Sequence, residues 1–439
     1  VPFHYAIQKN WGDPDDFARM IDEFHKHDIA VISDFVIGHL PYKDFNIFGL
    51  NSDENGIHPW IKENNERLYM KDKTSWGTMR VNFDDPEVRN FFIESALEMM
   101  KRYRIDGFRI DNVDGIIRKG PNGRGEEREN GRTFLRELNK EVYNYNTYSM
   151  IHFEAHYFKD DNAKLLVAPF KENEKALGAT AYNSSRMTHY FHTEFMLEDA
   201  KKISAWRFKH ILEEKEWGKS NSVIADFHNH DAAAGLMENR CTGSYAYDAM
   251  THNRPHNHIH AIGKIKVMEA IISFMNEGRT LDLIQTHLLQ KGTFEHDSSI
   301  QWHLRFHQAN NNCLEFKKEV NKIMDNPAFW PINVDKRKVL NVDDENKILV
   351  IKRSSEHDSF VIIMNLSSWI HYNYKVGLDS KNDYKLILNS DLFEYSGFGM
   401  IGLPNEFKNK ESNNFELLKR EIIIPKIAPY HIIVLKELN

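Results

Sequence analysis

Cysteine is almost missing from this chain: Cys241 and Cys313 are the only two in 439 residues. Two residues so placed can build neither a disulfide framework nor a zinc-ligand spacing, and their scarcity points to a reducing compartment. No run of about 18 apolar residues occurs, so no membrane-spanning helix is expected. The amino end, Val1-Pro2-Phe3-His4-Tyr5, has neither a basic nor an apolar region of signal-peptide type. It also lacks an initiator Met, which leads us to expect a longer native polypeptide. Positive charge is not in excess: Lys and Arg total 57 against 64 Asp and Glu, a net charge of −7. That balance suits a neutral polysaccharide or small metabolite better than a nucleic-acid backbone. Aromatic residues are plentiful, with 28 Phe, 17 Tyr and 8 Trp, enough for a large core or for stacking on sugars. The expected setting is cytoplasmic, with no nucleic-acid or membrane partner.

Strand-like and helix-like segments alternate through the first two thirds. Asp13-Pro14-Asp15-Asp16 opens a helix, with Asp13 as cap and Pro14 at its first position. Phe17, Met20, Ile21 and Phe24 then recur at helical spacing. Residues 29–35 (IAVISDF) read as a buried parallel strand. A helix over 86–103, a strand over 105–111, a helix over 133–143, and strands over 149–154 and 223–227 follow. This alternation predicts a parallel sheet covered by helices. Residues 119–132, rich in Gly and charge, read as a mobile surface loop. From about residue 333 the style changes to short alternating runs at 347–351, 360–365, 384–388 and 431–435, as in a small antiparallel β domain.

Four predicted strand ends carry polar residues: Asp34 with His39, Arg109 with Asp111, His152 with Glu154, and His228 with His230 and Asp231. In a parallel barrel all such ends lie on one face, where active sites form. Arg109 and Asp111, two apart on a strand, point the same way. A cation beside a carboxylate favours its ionised form, as a glycosidase nucleophile requires. Each segment alone also has a structural reading: an ion pair, a loop histidine, a capping acid, an exposed pair.

In this order the segments resemble the conserved regions of the α-amylase family, glycoside hydrolase family 13, and within it 1,4-α-glucan branching enzymes. Further stretches carry the likeness. Residues 11–17 (WGDPDDF) look like YGTPDDF, and His39-Leu40-Pro41 like HFP. Trp76-Gly77-Thr78, Asn82 and residues 87–91 (EVRNF) look like WGT…N…EVRNF. Residues 294–302 resemble W-N-x-D-x-S-L-D-W, and 389–391 with 395–399 resemble NSD…YGGSG.

The resemblance implies a (β/α)8 barrel over 1–332, its first strand and helix missing, followed by an antiparallel β-sandwich over 333–439. It implies an α-1,4-glucan partner (glycogen, amylose or maltooligosaccharides) and no cofactor. It also implies branching, a glycosyl transfer in glycogen biosynthesis, with amylase-type hydrolysis as the alternative and a non-catalytic glucan-binding protein as a third reading. Asp111 would be the nucleophile, Glu154 the general acid and then base, and Asp231 the third carboxylate. His39 and His230 would donate to the sugar, Arg109 would keep Asp111 ionised, and Asp34 would hold the first loop. Retention predicts the Asp111 and Glu154 carboxyls about 5–5.5 Å apart.

Some positions depart from the family. Gly38 stands where many α-amylases have a calcium-binding Asn, which argues against calcium there. Ala155-His156, Ala232-Ala233-Ala234 and residues 278–285 also differ, so acceptor choice is expected to differ. The cluster His252, His256, His258 and His260 invites a metal reading, and His256, His258 and His260 could share a strand face, but no carboxylate completes a zincin motif, so a polar loop is preferred over a metal site.

Overall fold

Asp13 caps a helix, as its context predicts. In the computed structural model its carboxylate accepts from the Asp16 amide at 2.8 Å, while the Asp16 carboxylate accepts from the Asp13 amide at 3.0 Å. This reciprocal box, with Pro14 in the first turn, starts α1 (Pro14–Lys26). The structure describes residues 5, 7, 9–40, 69–75, 77–120, 123–155, 160–183, 185–196, 202–213, 223–235, 243–251, 258–275, 280–295, 298–330, 333, 336–400, 402–415 and 418–438. They fall into two compact units, 1–183 and 184–439.

After α1 the first unit runs β1 (Ile32–Phe35), β2 (His39–Leu40), β3 (Tyr69–Lys73), β4 (Met79–Val81), α2 (Pro86–Tyr103), β5 (Gly107–Ile110), α3 (Val113–Ile117), α4 (Glu129–Tyr145), β6 (Met150–Glu154), α5 (Asp160–Val167) and β7 (Ala181–Asn183). Strands β1, β5, β6 and β7 pair in parallel, in that order. The register sets Asp34 beside Arg109, Arg109 beside His152, and Glu154 beside Asn183. Gly107 makes the β5–β6 approach possible: a Cβ there would lie 1.9 Å from the Met150 carbonyl oxygen. Under the sheet, the rings of Phe35 and Phe108 meet at 5.1 Å, and Phe83 stacks on Phe134 at 4.1 Å.

Three expectations are corrected in this unit. The run 29–35 is not a strand buried throughout, since only 32–35 form β1 and Ile29 is 50% exposed. Among the described residues of the unit, β1 has a strand partner along one edge only, so half of the predicted burial is unmet. The apolar stripe of α1 is likewise buried at Ile21 but exposed at Met20 and Phe24. The predicted loop 119–132 is tied at both ends: the Lys119 amide donates to the Glu126 carbonyl at 2.9 Å, the Arg128 amide to the Ile117 carbonyl at 2.6 Å, and α4 already begins at Glu129.

The second unit begins with α6 (Ser185–Tyr190), α7 (Ala205–Glu213), β8 (Val223–Ile224), α8 (His230–Ala234), α9 (Ala246–Thr251), α10 (His258–Ala270), α11 (Ile284–His287) and α12 (Gln308–Met324). Beyond β8, Ala225 bridges in parallel to Thr280. The chain then forms β9 (Lys338–Asp343), β10 (Ile348–Ser354), β11 (Ser359–Asn365), β12 (His371–Leu378), β13 (Tyr384–Asn389), β14 (Glu406–Phe407), β15 (Lys410–Glu411), β16 (Arg420–Ile427) and β17 (Ile432–Glu437). A six-stranded sheet, β14-β13-β17-β11-β10-β9, faces a three-stranded one, β12-β16-β15. Val350, Ile363, Val376, Ile422, Ile424 and Ile433 fill the space between. Two buried cations tie this sandwich to the helices before it. Lys266 donates to the Ser390 and Tyr395 carbonyls at 2.7 and 3.0 Å, and Arg353 to the Phe274 carbonyl at 3.1 Å. Among the described residues, no helix is long and apolar enough to cross a membrane.

Candidate functional site

Parallel pairing brings the ends of β1, β5 and β6 side by side, and their polar residues converge on one guanidinium. Arg109 Nη1 lies 2.8 Å from Asp34 Oδ1 and 3.2 Å from Asp111 Oδ1, and its Nη2 lies 2.9 Å from Glu154 Oε1. The Arg109 side chain is only 12% exposed. Burial works against its charge, but Glu154, Asp34 and Asp111 outweigh that and hold it protonated far above any physiological pH.

Asp111 sits just past β5, where Asn112 takes a left-handed turn at φ 48°. That turn aims the Asn112 amide at Glu154 Oε2, to which it donates at 2.9 Å, and lets the Asn112 side chain cap α3 through the Gly115 amide. His39 Nε2 approaches Asp111 Oδ2 at 3.5 Å. The opposite nitrogen of His39 is held by Thr78 Oγ1 at 3.1 Å, and that hydroxyl in turn by Thr74 Oγ1 at 2.7 Å. Arg80, buried below, donates to the carbonyls of Gly115, Arg118 and Gly120 and so pins the chain that leaves the site.

The electrostatics of Asp111 differ from the expectation in balance. Burial lifts its pKa, the His39 contact lowers it, the Glu154 carboxyl lifts it again, and Arg109 lowers it. The net direction is upward, so the arginine opposes the desolvation without overcoming it. Asp34, although its side chain is 47% exposed, is also raised, by partial loss of solvent ahead of the opposing Arg109. The Glu154 carboxyl, held on the same guanidinium at 2.9 Å, is one cause of the rise at Asp111.

In the second unit, His230 and Asp231 open α8. Asn229 caps that helix, its side chain accepting from the Ala232 amide at 3.0 Å, and Asp226 fixes Asn229 through a 3.1 Å hydrogen bond. His230 Nε2 lies 3.5 Å from Asp231 Oδ1, both side chains are about a third exposed, and the His230 ring meets Phe294 at 5.8 Å. Beneath them His228 is buried, in contact with the Ser244 carbonyl at 3.0 Å and with His192 at 3.2 Å. Burial pushes its pKa down to about 4, so it is a neutral structural histidine.

Asp34, His39, Arg109, Asp111 and Glu154 are therefore one constellation in the first unit, and His230 and Asp231 a pair in the second. The sequence reading missed Asn183. It ends β7 beside Glu154, is buried, and its Oδ1 has no hydrogen-bond partner. The available signal was the same as for Glu154, a polar residue closing an apolar strand. Thr78 and Asn112 were also unassigned. The histidine reading is corrected, because His258 and His260 lie on α10, where residues two apart do not share a face. His258 pairs with the Tyr247 hydroxyl at 2.7 Å, and His260 packs near Phe398 and Tyr430. His252, His256, Cys241, Pro41, Trp76, His156 and residues 278–279 and 296–297 lie outside the described residues.

Comparison with known proteins bears on both units. Residues 339–437 match the family model described as alpha amylase, C-terminal all-beta domain. A 1,4-alpha-glucan branching enzyme GlgB of Bacillus cytotoxicus is 23% identical over 99% of this chain and 63% of its own length. One from Oceanobacillus iheyensis is 22% identical over 97% of this chain and 65% of its own. The chain thus spans a little under two thirds of the length of these curated relatives. Among solved structures, the α-amylase of Geobacillus thermoleovorans complexed with acarbose superposes with a TM-score of 0.66 at 14% identity, covering 99% of this chain and 83% of that one. The parallel strands with their helices fit part of a (β/α)8 barrel, and an antiparallel all-β domain follows them in sequence. Residues 339–437 thus match an α-amylase C-terminal domain, and the chain as a whole is similar to 1,4-α-glucan branching enzymes in sequence and to α-amylases in fold.

Proposed function

We propose that this chain is the glucan-active part of a retaining transglycosylase that breaks an α-1,4 bond and passes the released chain to a sugar 6-hydroxyl. The observation that carries the reading is that Asp111 and Glu154 share the Arg109 guanidinium, at 3.2 and 2.9 Å. Neighbouring carboxylates repel, so ionising one makes the other harder to ionise. That favours the state in which one carboxylate attacks and the other donates a proton, the division of labour of a retaining enzyme.

In the first step an Asp111 oxygen bonds to the anomeric carbon as the bond to the glycosidic oxygen breaks. Glu154 gives its proton to that leaving oxygen. In the second, ionised Glu154 takes the proton of the acceptor 6-hydroxyl, whose oxygen displaces Asp111. Asp231 orients sugar hydroxyls, while His39 and His230 donate to them. Asp34 and Arg109 hold the constellation, and Asn183, beside Glu154, offers a further polar contact. The barrel is assigned to 1–332 and the sandwich to 333–439. The glucan would be glycogen, amylose or maltooligosaccharide, in the cytoplasm.

Branching is favoured over hydrolysis by the curated relatives, which are named as branching enzymes over nearly the whole of this chain. The test is incubation of the protein with amylose. New α-1,6 linkages without matching reducing ends support transfer, whereas reducing ends alone would assign hydrolysis. Asp111→Asn and Glu154→Gln should each remove turnover, by about 10⁴-fold or more. An Asp111→Asn protein as active as the wild type would overturn the assignment.

A further inference from the structure

Away from the strand-end constellation, the second unit buries a second set of ionisable groups. Glu269 lies on α10, His287 ends α11, Lys317 lies on α12, and Asp282 follows the Ala225–Thr280 bridge. Glu269 and His287 are almost fully buried, at 1% and 2% exposure. Lys317 Nζ lies 2.6 Å from Glu269 Oε1 and 2.6 Å from Asp282 Oδ2, and Ser273 Oγ donates to Glu269 Oε1 at 2.6 Å. The outer oxygens of both carboxylates are thus satisfied.

The inner atoms are not. Glu269 Oε2, Asp282 Oδ1 and His287 Nε2 are each buried without a hydrogen-bond partner. His287 Nε2 is 3.6 Å from Glu269 Oε2 and 3.9 Å from Asp282 Oδ1. Together they form the one group of three metal-ligating side chains found among the described residues, their ligand atoms all within 4.8 Å of one another. We propose that Glu269, Asp282 and His287 bind one divalent transition-metal ion, of the zinc or manganese class, as a structural site.

Three observations support this assignment. First, two carboxylates and one ammonium leave a buried net charge of −1 when His287 is neutral, a charge that either a proton on His287 or a bound cation would balance. Second, a proton on Nε2 fits that place poorly, since 3.6 and 3.9 Å exceed hydrogen-bond length. Ligands about 2.1 Å from a tetrahedral ion lie about 3.4 Å apart, so the two distances to His287 need a contraction of only a few tenths of an ångström, and all three atoms already lie within 4.8 Å of one another. Third, Lys317 and Ser273 hold the carboxylates from outside, as groups that orient metal ligands do. One imidazole with two carboxylates suits zinc or manganese, whereas calcium asks for six to eight oxygens. The burial assigns the ion to packing α10, α11 and α12 together rather than to substrate chemistry.

The test uses the whole chain, stripped with a chelator and titrated with zinc alone. One equivalent is expected to bind tightly, and X-ray absorption of the one-equivalent complex should show a single imidazole in an otherwise oxygen shell. The Glu269→Gln/Asp282→Asn double variant should bind at least ~100-fold more weakly. A shell of several imidazoles, or no tight equivalent with zinc or manganese, would overturn the proposal. So would equal affinity in the double variant. The absorption measurement on wild-type protein decides the matter even if the double variant does not fold.

Discussion

Replacing Arg109 with Met tests the strand-end constellation most directly. The guanidinium is within 3.2 Å of Asp34, Asp111 and Glu154, and its side chain is 12% exposed. At an effective dielectric of about 20, a charge pair at that distance is worth roughly 5 kcal/mol, an upper bound for each contact. The contacts are not additive, because the carboxyls also repel one another and solvent reaches Asp34, which is 47% exposed. Arg109 lowers the pKa of Asp111, which burial and Glu154 raise. Without it Asp111 should titrate at higher pH. On amylose, the acid limb of kcat/KM should shift toward higher pH. Activity should recover in part as pH rises, while urea unfolding should show about 3–5 kcal/mol lost from uncompensated buried charge. Arg109→Lys, a point charge without the fork, should fall between. If activity drops uniformly at every pH with the acid limb unmoved, Arg109 only supports the fold and the proposed electrostatic role is wrong.

Two further predictions concern stability. His431 Nε2 donates to Asn389 Oδ1 at 2.6 Å and its Nδ1 accepts from the Ala428 amide at 3.2 Å, a neutral tautomer whose pKa burial lowers to about 3. The unfolded chain takes up a proton near pH 6.5 that the folded chain refuses, so stability present above that pH is lost as pH falls toward 3. The loss approaches about 5 kcal/mol, partly offset by the raised carboxyls of Asp34 and Asp111, which act in the opposite sense. The urea midpoint should track this fall and flatten in His431→Asn, and an unchanged slope there would contradict the assignment. Gly107→Ala puts a methyl group 1.9 Å from the Met150 carbonyl oxygen. It should force β5 and β6 apart at a cost of at least about 3 kcal/mol, with loss of soluble protein or a lowered thermal midpoint. Wild-type stability in that variant would show the strand pairing to be placed wrongly.

Local features were legible wherever a few neighbouring residues decide the outcome. Asp13 with Pro14 and Asp16 starts a helix through contacts three residues apart, and Asp85-Pro86 starts α2 with the Asp85 carboxylate on the Glu87 amide at 2.9 Å. The sandwich strands were legible in four of their runs, because alternation is a local property. β12 and β16 were not foreseen. Tyr372, 66% exposed, lies on the outer part of β12, which weakens its pattern, and β16 carries three consecutive isoleucines and a proline. The exposure of Ile29, Met20 and Phe24 could not be foreseen either, since burial depends on what lies opposite.

The sequence alone determined the order of strands and helices, the caps, and the identity of the polar residues closing each strand. Those outcomes rest on backbone sterics and on hydrogen bonds that span a few residues. Tertiary structure decided which of those residues meet. Asp34, Asp111 and Glu154 share the Arg109 guanidinium because parallel pairing lays Asp34 beside Arg109 and Phe153 beside Ile110. Glu269, Asp282, His287 and Lys317 converge because three helices and a strand end pack around a buried point. Separations of tens of residues along the chain carry no signal for such meetings. Only burial, which penalises every unpaired charge, selects the arrangement in which the charges find one another.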